Sequence, residues 1–121
     1  RWLCPDVLSD QQISIARAKQ AISAYRKAAG HPEGLAELCA FYLEEGIAFA
    51  RASGLDCEDY YSSLDRVFYQ ALGIMKKLDP ERRAGYRERL EGVCESACGI
   101  GWGVYDNMRD TLSRCGADGE P

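Results

Sequence analysis

Residues 94–108 read Cys-Glu-Ser-Ala-Cys-Gly-Ile-Gly-Trp-Gly-Val-Tyr-Asp-Asn-Met, and they combine a helical apolar pattern with a cluster of glycines. Trp102 lies at the centre of this stretch, between Gly101 and Gly103. Glycine inside a helix costs about 1 kcal/mol relative to alanine, so segment 99–103 predicts either a helix break or a close backbone approach. We expect these glycines to let the indole of Trp102 pack between helices.

Helical patterns lie on both sides of this break. Downstream, Val104, Met108 and Leu112 recur at a spacing of four residues, which is typical of one face of a helix. Upstream, Asp79 and Pro80 are typical of a helix N-cap and first turn. The segment that follows them is therefore predicted to be the helix that leads into the glycines.

Three more helical segments precede Asp79. The first is predicted to begin at Ser14, or alternatively at Ser9, and to end at Gly30. The second begins at His31-Pro32 and ends near Ser53, with Gly54 as its stop. Its apolar residues nearly encircle it, which is typical of a central helix. The third follows the acids of segment 56–59.

The chain lacks the sustained alternation of apolar and polar residues that predicts a strand. We therefore predict an all-α fold: one compact, bundle-like domain of four to five helices with a glycine-rich break before the last helix. An irregular lead-in is expected at 1–13, the helical domain at 14–116 and a disordered tail at 117–121.

Composition limits the classes of function. The 121 residues carry a net charge of −4, so no overall basic field favours nucleic acid. No apolar run approaches the roughly 20 residues of a membrane span. The chain begins with Arg1 and has no signal-peptide pattern, which predicts a processed protein or a fragment, located in the cytoplasm.

Four of the six cysteines lie within helical patterns: Cys39, Cys94, Cys98 and Cys115. This placement favours reduced thiols that pack in the core of a cytoplasmic protein, with a disulfide framework as the alternative. Cys94 and Cys98 share a helix face and are candidate metal ligands. A structural zinc site needs four ligands, so we expect core packing and no cofactor.

The central helix carries two adjacent acids, Glu44 and Glu45. Successive residues lie about 100° apart on a helix, so one carboxylate is expected to be partly buried, with a partner or a raised pKa. Glu44 could meet Tyr42, Tyr61 and Asp106 in a polar pocket. Such a group forms either a hydrogen-bond network that fixes the packing, or a site for a ligand, partner, metal or acid–base chemistry.

Three stretches carry a family resemblance: Phe41-Tyr-Leu-Glu-Glu-Gly-Ile-Ala-Phe49, Tyr60-Tyr-Ser-Ser-Leu64 and Gly99-Ile-Gly-Trp-Gly-Val-Tyr-Asp-Asn107. With them, residues 14–112 resemble an uncharacterised bacterial family of small helical proteins that has no established activity. Its members tend to carry an additional amino-terminal helical segment, and the cysteines are not part of its pattern. The resemblance implies an all-α fold and singles out these ligand or partner candidates: Tyr42, Glu44, Tyr60, Tyr61, Trp102 and Asp106.

These observations favour a non-catalytic protein-interaction or regulatory module, with self-association left open. Aromatic residues such as the seven tyrosines are enriched at protein interfaces, although they suit helix cores equally well. One alternative is a nucleic-acid-associated factor that uses a basic cluster. That cluster, which acids interrupt, consists of Lys76, Lys77, Arg82, Arg83, Arg87 and Arg89. The other alternative is a ligand, metal or catalytic site built on Glu44, Tyr61 and Asp106.

Overall fold

The computed structural model describes residues 10–28 and 31–115, with side chains described for 10–24 and 31–115. Within these ranges the chain forms helices and no strand, which confirms the predicted all-α class. The helices are α1 (Asp10–Ala28), α2 (Pro32–Ser53), α3 (Glu58–Met75), α4 (Pro80–Ser96) and α5 (Val104–Ser113).

Helices α2 and α3 form the centre of the bundle. Among the described helices, α2 packs against α1, α3 and α4, and α3 packs against α2, α4 and α5. The apolar residues on several sides of α2 supply the contacts that a central helix needs. The sequence prediction that the second helix is central is therefore confirmed.

Gly46 sets the close approach of α2 and α3. A Cβ atom at this position would lie 2.9 Å from Leu64 Cδ2 and 3.3 Å from the Tyr60 hydroxyl oxygen. The Gly46 carbonyl oxygen also accepts a hydrogen bond of 2.6 Å from that hydroxyl. The missing side chain thus lets a buried tyrosine reach the backbone of the neighbouring helix.

Several predicted helix ends are confirmed. Asp79 caps α4 by accepting a hydrogen bond of 3.0 Å from the Arg82 backbone N–H, and Pro80 follows in the first turn. Gly54 ends α2 in the left-handed conformation, with φ of 65°. Helix α1 begins at Asp10, so the predicted lead-in at 1–13 is wrong for residues 10–13. The expected stop at Gly30 and the expected tail at 117–121 lie outside the described residues.

The predicted break between α4 and α5 is confirmed, and its backbone is left-handed. Positive φ angles occur at Gly99 (81°), Gly101 (113°), Trp102 (54°) and Gly103 (67°). Three of these residues are glycines, which adopt such angles without steric cost. The indole of Trp102 does not pack between helices as expected: the residue is 53% exposed. Consecutive left-handed residues turn the chain outward here, so the indole lies outside the core.

The cysteines divide into two groups. Cys39, Cys94, Cys98 and Cys115 are not disulfide-bonded, as the sequence predicts, but Cys98 is exposed, so the expected core packing is wrong for that residue. Cys57 is disulfide-bonded, which agrees at this position with the disulfide alternative that the sequence leaves open. Separately, none of the described helices is long and apolar enough to cross a membrane.

Two glycine substitutions test the left-handed break. Gly92 lies on α4 with open space around it, so Gly92→Ala should raise the free energy of unfolding by about 1 kcal/mol through helix propensity. Gly101 has a φ of 113°, so Gly101→Ala should lower it by about 1–2 kcal/mol. Urea unfolding of both variants beside the parent protein measures the difference. Equal stabilisation by the two substitutions would contradict a left-handed segment at 101–103.

Candidate functional site

The residues singled out in the sequence do not form one site. Glu44 pairs with a residue of α4, and the Tyr61 hydroxyl donates to the carbonyl oxygen of Leu55 in the α2–α3 connector. The Asp106 carboxylate lies exposed in the first turn of α5. Within the described part of the chain, the expected polar pocket of Glu44, Tyr61 and Asp106 is not assembled, because each belongs to a different surface or partner.

Tyr42 and Tyr60 are fully buried between α2 and α3. The Tyr42 and Ser63 hydroxyl groups are 2.7 Å apart and share a hydrogen bond. Burial raises the pKa of Tyr42 to about 12, although the hydrogen bond to Ser63 opposes the shift. Burial also raises the pKa of Tyr60. Both phenols stay protonated at neutral pH, so they act as hydrogen-bonding groups that fix the packing of α2 on α3.

Glu44 has the partner that its position on the central helix requires. Its two carboxylate oxygens accept hydrogen bonds of 2.9 Å from Nε and Nη2 of Arg89 on α4. Arg89 Nη1 also donates to Glu37 at 2.6 Å. The hydrogen bonds to Glu44 and then Glu37 raise the pKa of Arg89. This two-pronged pair joins α2 to α4 and gives Glu44 a structural role.

The arginines of the basic cluster make ion pairs and hydrogen bonds within the chain. Arg87 lies 3.7 Å from a carboxylate oxygen of Glu91, and Arg82 lies 3.9 Å from one of Glu33. Arg83 donates to two backbone carbonyl oxygens at the end of α3 and in the α3–α4 connector. Together with the Arg89 pair, these contacts place carboxylates and carbonyl oxygens beside the arginines of this face. Phosphate groups would compete with these pairs, whereas Lys76 and Lys77 make no ion pair among the described residues, so the nucleic-acid alternative stays a prediction.

The two candidate metal ligands differ in their environment. Cys94 is buried, and burial raises the pKa of its thiol, whereas Cys98 is exposed at the end of α4. In the described ranges there is no group of three His, Cys, Asp or Glu side chains placed to hold a metal ion. A protonated thiol is a poor ligand, so the surroundings of Cys94 suit the expected core packing.

Two side chains tie the glycine-rich loop to the opposite connector. One Nη atom of Arg51, near the end of α2, donates to the carbonyl oxygens of Ser96 and Cys98, each at 2.6 Å. The indole Nε1–H of Trp102 donates to Asp56 Oδ1 at 2.6 Å. The first contact satisfies carbonyls that the end of α4 leaves unpaired. The second fixes the direction of the indole.

Trp102 is unusual in both its backbone and its exposure. A bulky residue with a φ of 54° is a conformational outlier, which costs about 1 kcal/mol or more. Its indole is held by a charge-assisted hydrogen bond, yet about half of the residue is open to solvent. We call Trp102, Asp56 and loop 99–103 the Trp102 surface. It presents a large aromatic group in one fixed orientation.

Sequence reasoning singled out Trp102 but missed Asp56 and Arg51. Asp56 lies 46 residues from Trp102, in a connector whose acids also suit the start of α3. No local pattern links residues so far apart. Two other aromatic residues are exposed in the described ranges, and neither has a side-chain hydrogen bond there: Phe41 on α2 (38% exposed) and Tyr69 on α3 (71% exposed).

The structural role of Glu44 has a direct test with a matched neighbour. Glu44→Gln weakens the pair with Arg89 and should lower the free energy of unfolding by about 1 kcal/mol. Glu45→Gln removes the adjacent charge, which makes no ion pair in the described ranges, and should change stability by less than about 0.5 kcal/mol. Urea midpoints at neutral pH measure both. An unchanged or raised midpoint for Glu44→Gln would instead favour a ligand or partner role for this carboxylate.

Comparison with known proteins gives no relative from which to carry over a function. No protein-family model, no curated protein and no solved structure matches this chain. The resemblance to an uncharacterised bacterial family therefore stays a prediction. The geometry of the Trp102 surface is the remaining basis for a functional hypothesis.

Proposed function

We propose that this chain is a non-catalytic helical module that binds a partner protein through the Trp102 surface. The observation that carries the proposal is the fixed, half-exposed indole in a left-handed backbone conformation. Tryptophan is among the residues that most often dominate the binding energy of protein interfaces. Its placement outside the core, at a conformational cost, is typical of a functional rather than a packing role.

The tethering of the loop supports the same proposal. Binding costs free energy when side chains and loops must be ordered at an interface. Here Arg51 and Asp56 already hold the loop and the indole in place. A partner would therefore meet a preformed anchor, and little of the interaction energy would be spent on ordering Trp102.

The enzyme alternative receives less support from the same contacts. The buried tyrosines have raised pKa values, whereas a general base near neutral pH needs a lowered one. Glu44 is committed to Arg89. These groups have structural partners, so the interaction module is the function that we propose.

The disulfide at Cys57 bears on where the module works. Disulfides form and persist in oxidising compartments and are rare in the cytosol. Cys57 follows Asp56 directly, so the bond lies beside the residue that holds the indole. We therefore favour an oxidising compartment over the cytoplasm that composition alone predicts.

Removing the indole should abolish partner binding without unfolding the protein. Trp102→Ala deletes the proposed anchor, and because the residue is exposed, the variant should keep its helical circular dichroism. Photo-crosslinking in the source cells, with a crosslinker placed at Ile100, would report the partners of the parent and variant proteins. We expect the crosslinked partner to disappear with Trp102→Ala.

Tyr69→Ala is the matched control, because it deletes an exposed aromatic from a different helix. This variant should keep the crosslinked partner at the level of the parent protein. The proposal is contradicted if Trp102→Ala retains the same crosslinked products, or if both variants lose them together.

A further inference from the structure

Exposed carboxylates lie in the α2–α3 connector and in the first turns of α3 and α5, the segments that adjoin the indole. Asp56 accepts its N–H, Glu58 and Asp59 follow in the first turn of α3, and Asp106 lies in the first turn of α5. All four are exposed. The carboxylates of Glu58 and Asp106 make no ion pair or hydrogen bond with other described residues. The Trp102 surface therefore contains an aromatic group bonded to one carboxylate, and further carboxylates lie in the first turns of the helices that follow Asp56 and Trp102.

Arg51 and Arg109, which lie in the helices that adjoin these segments, have partners within the chain. Arg51 donates to two carbonyl oxygens at the end of α4. Arg109, on α5, donates to the Tyr105 hydroxyl at 2.8 Å, and its guanidinium lies 5.6 Å from the centre of the same ring. On α1, burial and then the nearby Arg66 lower the pKa of Lys19, and the nearby Asp59 opposes that shift. The carboxylates in the segments that adjoin the indole therefore favour a cationic group on the partner.

We infer that the partner presents a positively charged segment, with an arginine side chain stacked on Trp102 and neighbouring cations paired with Glu58 and Asp106. This inference rests on the proposed function and adds the chemistry of the partner. Tryptophan is the aromatic ring that attracts a guanidinium most strongly, and arginine stacks on it better than lysine does. The Arg109–Tyr105 contact shows the same chemistry within this chain.

The negative charge of these carboxylates argues against other classes of partner. Nucleic acids and anionic lipid surfaces carry phosphates, which the carboxylates of Asp56, Glu58 and Asp106 repel. An uncharged apolar peptide could cover the indole but would leave these carboxylates facing a desolvating surface without partners. A basic protein segment satisfies both the ring and the charges.

Titration of a fluorescein-labelled oligoarginine peptide, followed by anisotropy, tests the inference on the intact, disulfide-bonded chain. We expect saturable binding that weakens about tenfold in Trp102→Ala and about two- to threefold in Asp106→Asn. Glu88→Gln removes an equal charge from the exposed face of α4 and should leave the affinity unchanged. Oligolysine should bind more weakly than oligoarginine.

Two outcomes would overturn the inference. In the first, Trp102→Ala and Glu88→Gln bind oligoarginine as the parent does, which would mean non-specific charge attraction. In the second, oligoarginine fails to bind while the crosslinked partner of the parent still depends on Trp102. That second result would leave the proposed function standing, with a partner of other chemistry. If neither oligoarginine binding nor the crosslinked partner depends on Trp102, the proposed function is contradicted as well.

Discussion

The left-handed backbone of residues 101–103 is the constraint on which this end of the bundle depends. It lies in the connection from α4 to α5, and α5 packs against both α3 and α4. Two glycines make the turn sterically possible. The third residue, Trp102, is bulky, and the same geometry directs it away from the core. The turn that completes the fold thereby also exposes the indole, and the hydrogen bond to Asp56 gives it one orientation.

Other polar contacts fix the packing of the helices on which that turn depends. Gly46 lets Tyr60 reach the backbone of α2, and the Arg89–Glu44 pair joins α2 to α4. The buried hydroxyls of Tyr42, Ser63 and Tyr60 all have partners, so the core carries these polar groups with little penalty. These hydrogen bonds join α2 to both α3 and α4. Arg51 and Asp56 can then hold the loop from across the bundle.

The spacing of apolar residues and the residues that begin and end helices predict most of the fold. These signals, such as the Asp79 cap and the Gly54 stop, are local in the sequence. Two serines compete as the cap of α1 in the sequence, and the start at Asp10 agrees with the alternative, Ser9, and not with Ser14. The site was less predictable. The need of Glu44 for a partner followed from its position on a central helix, but Arg89 lies 45 residues away. The expectation that Trp102 packs inside failed because hydrophobicity does not reveal the sign of φ.

The most direct test of the central claim is nuclear magnetic resonance of the Trp102 indole, distinguished from the second tryptophan by Trp2→Phe. The account predicts one Nε1–H signal that exchanges slowly with water, because it is bonded to Asp56, and that shifts in Asp56→Asn. It also predicts that a paramagnetic solute broadens the ring signals, because the residue is half exposed. A ring shielded from the solute, or a rapidly exchanging N–H, would contradict a fixed, outward-facing indole.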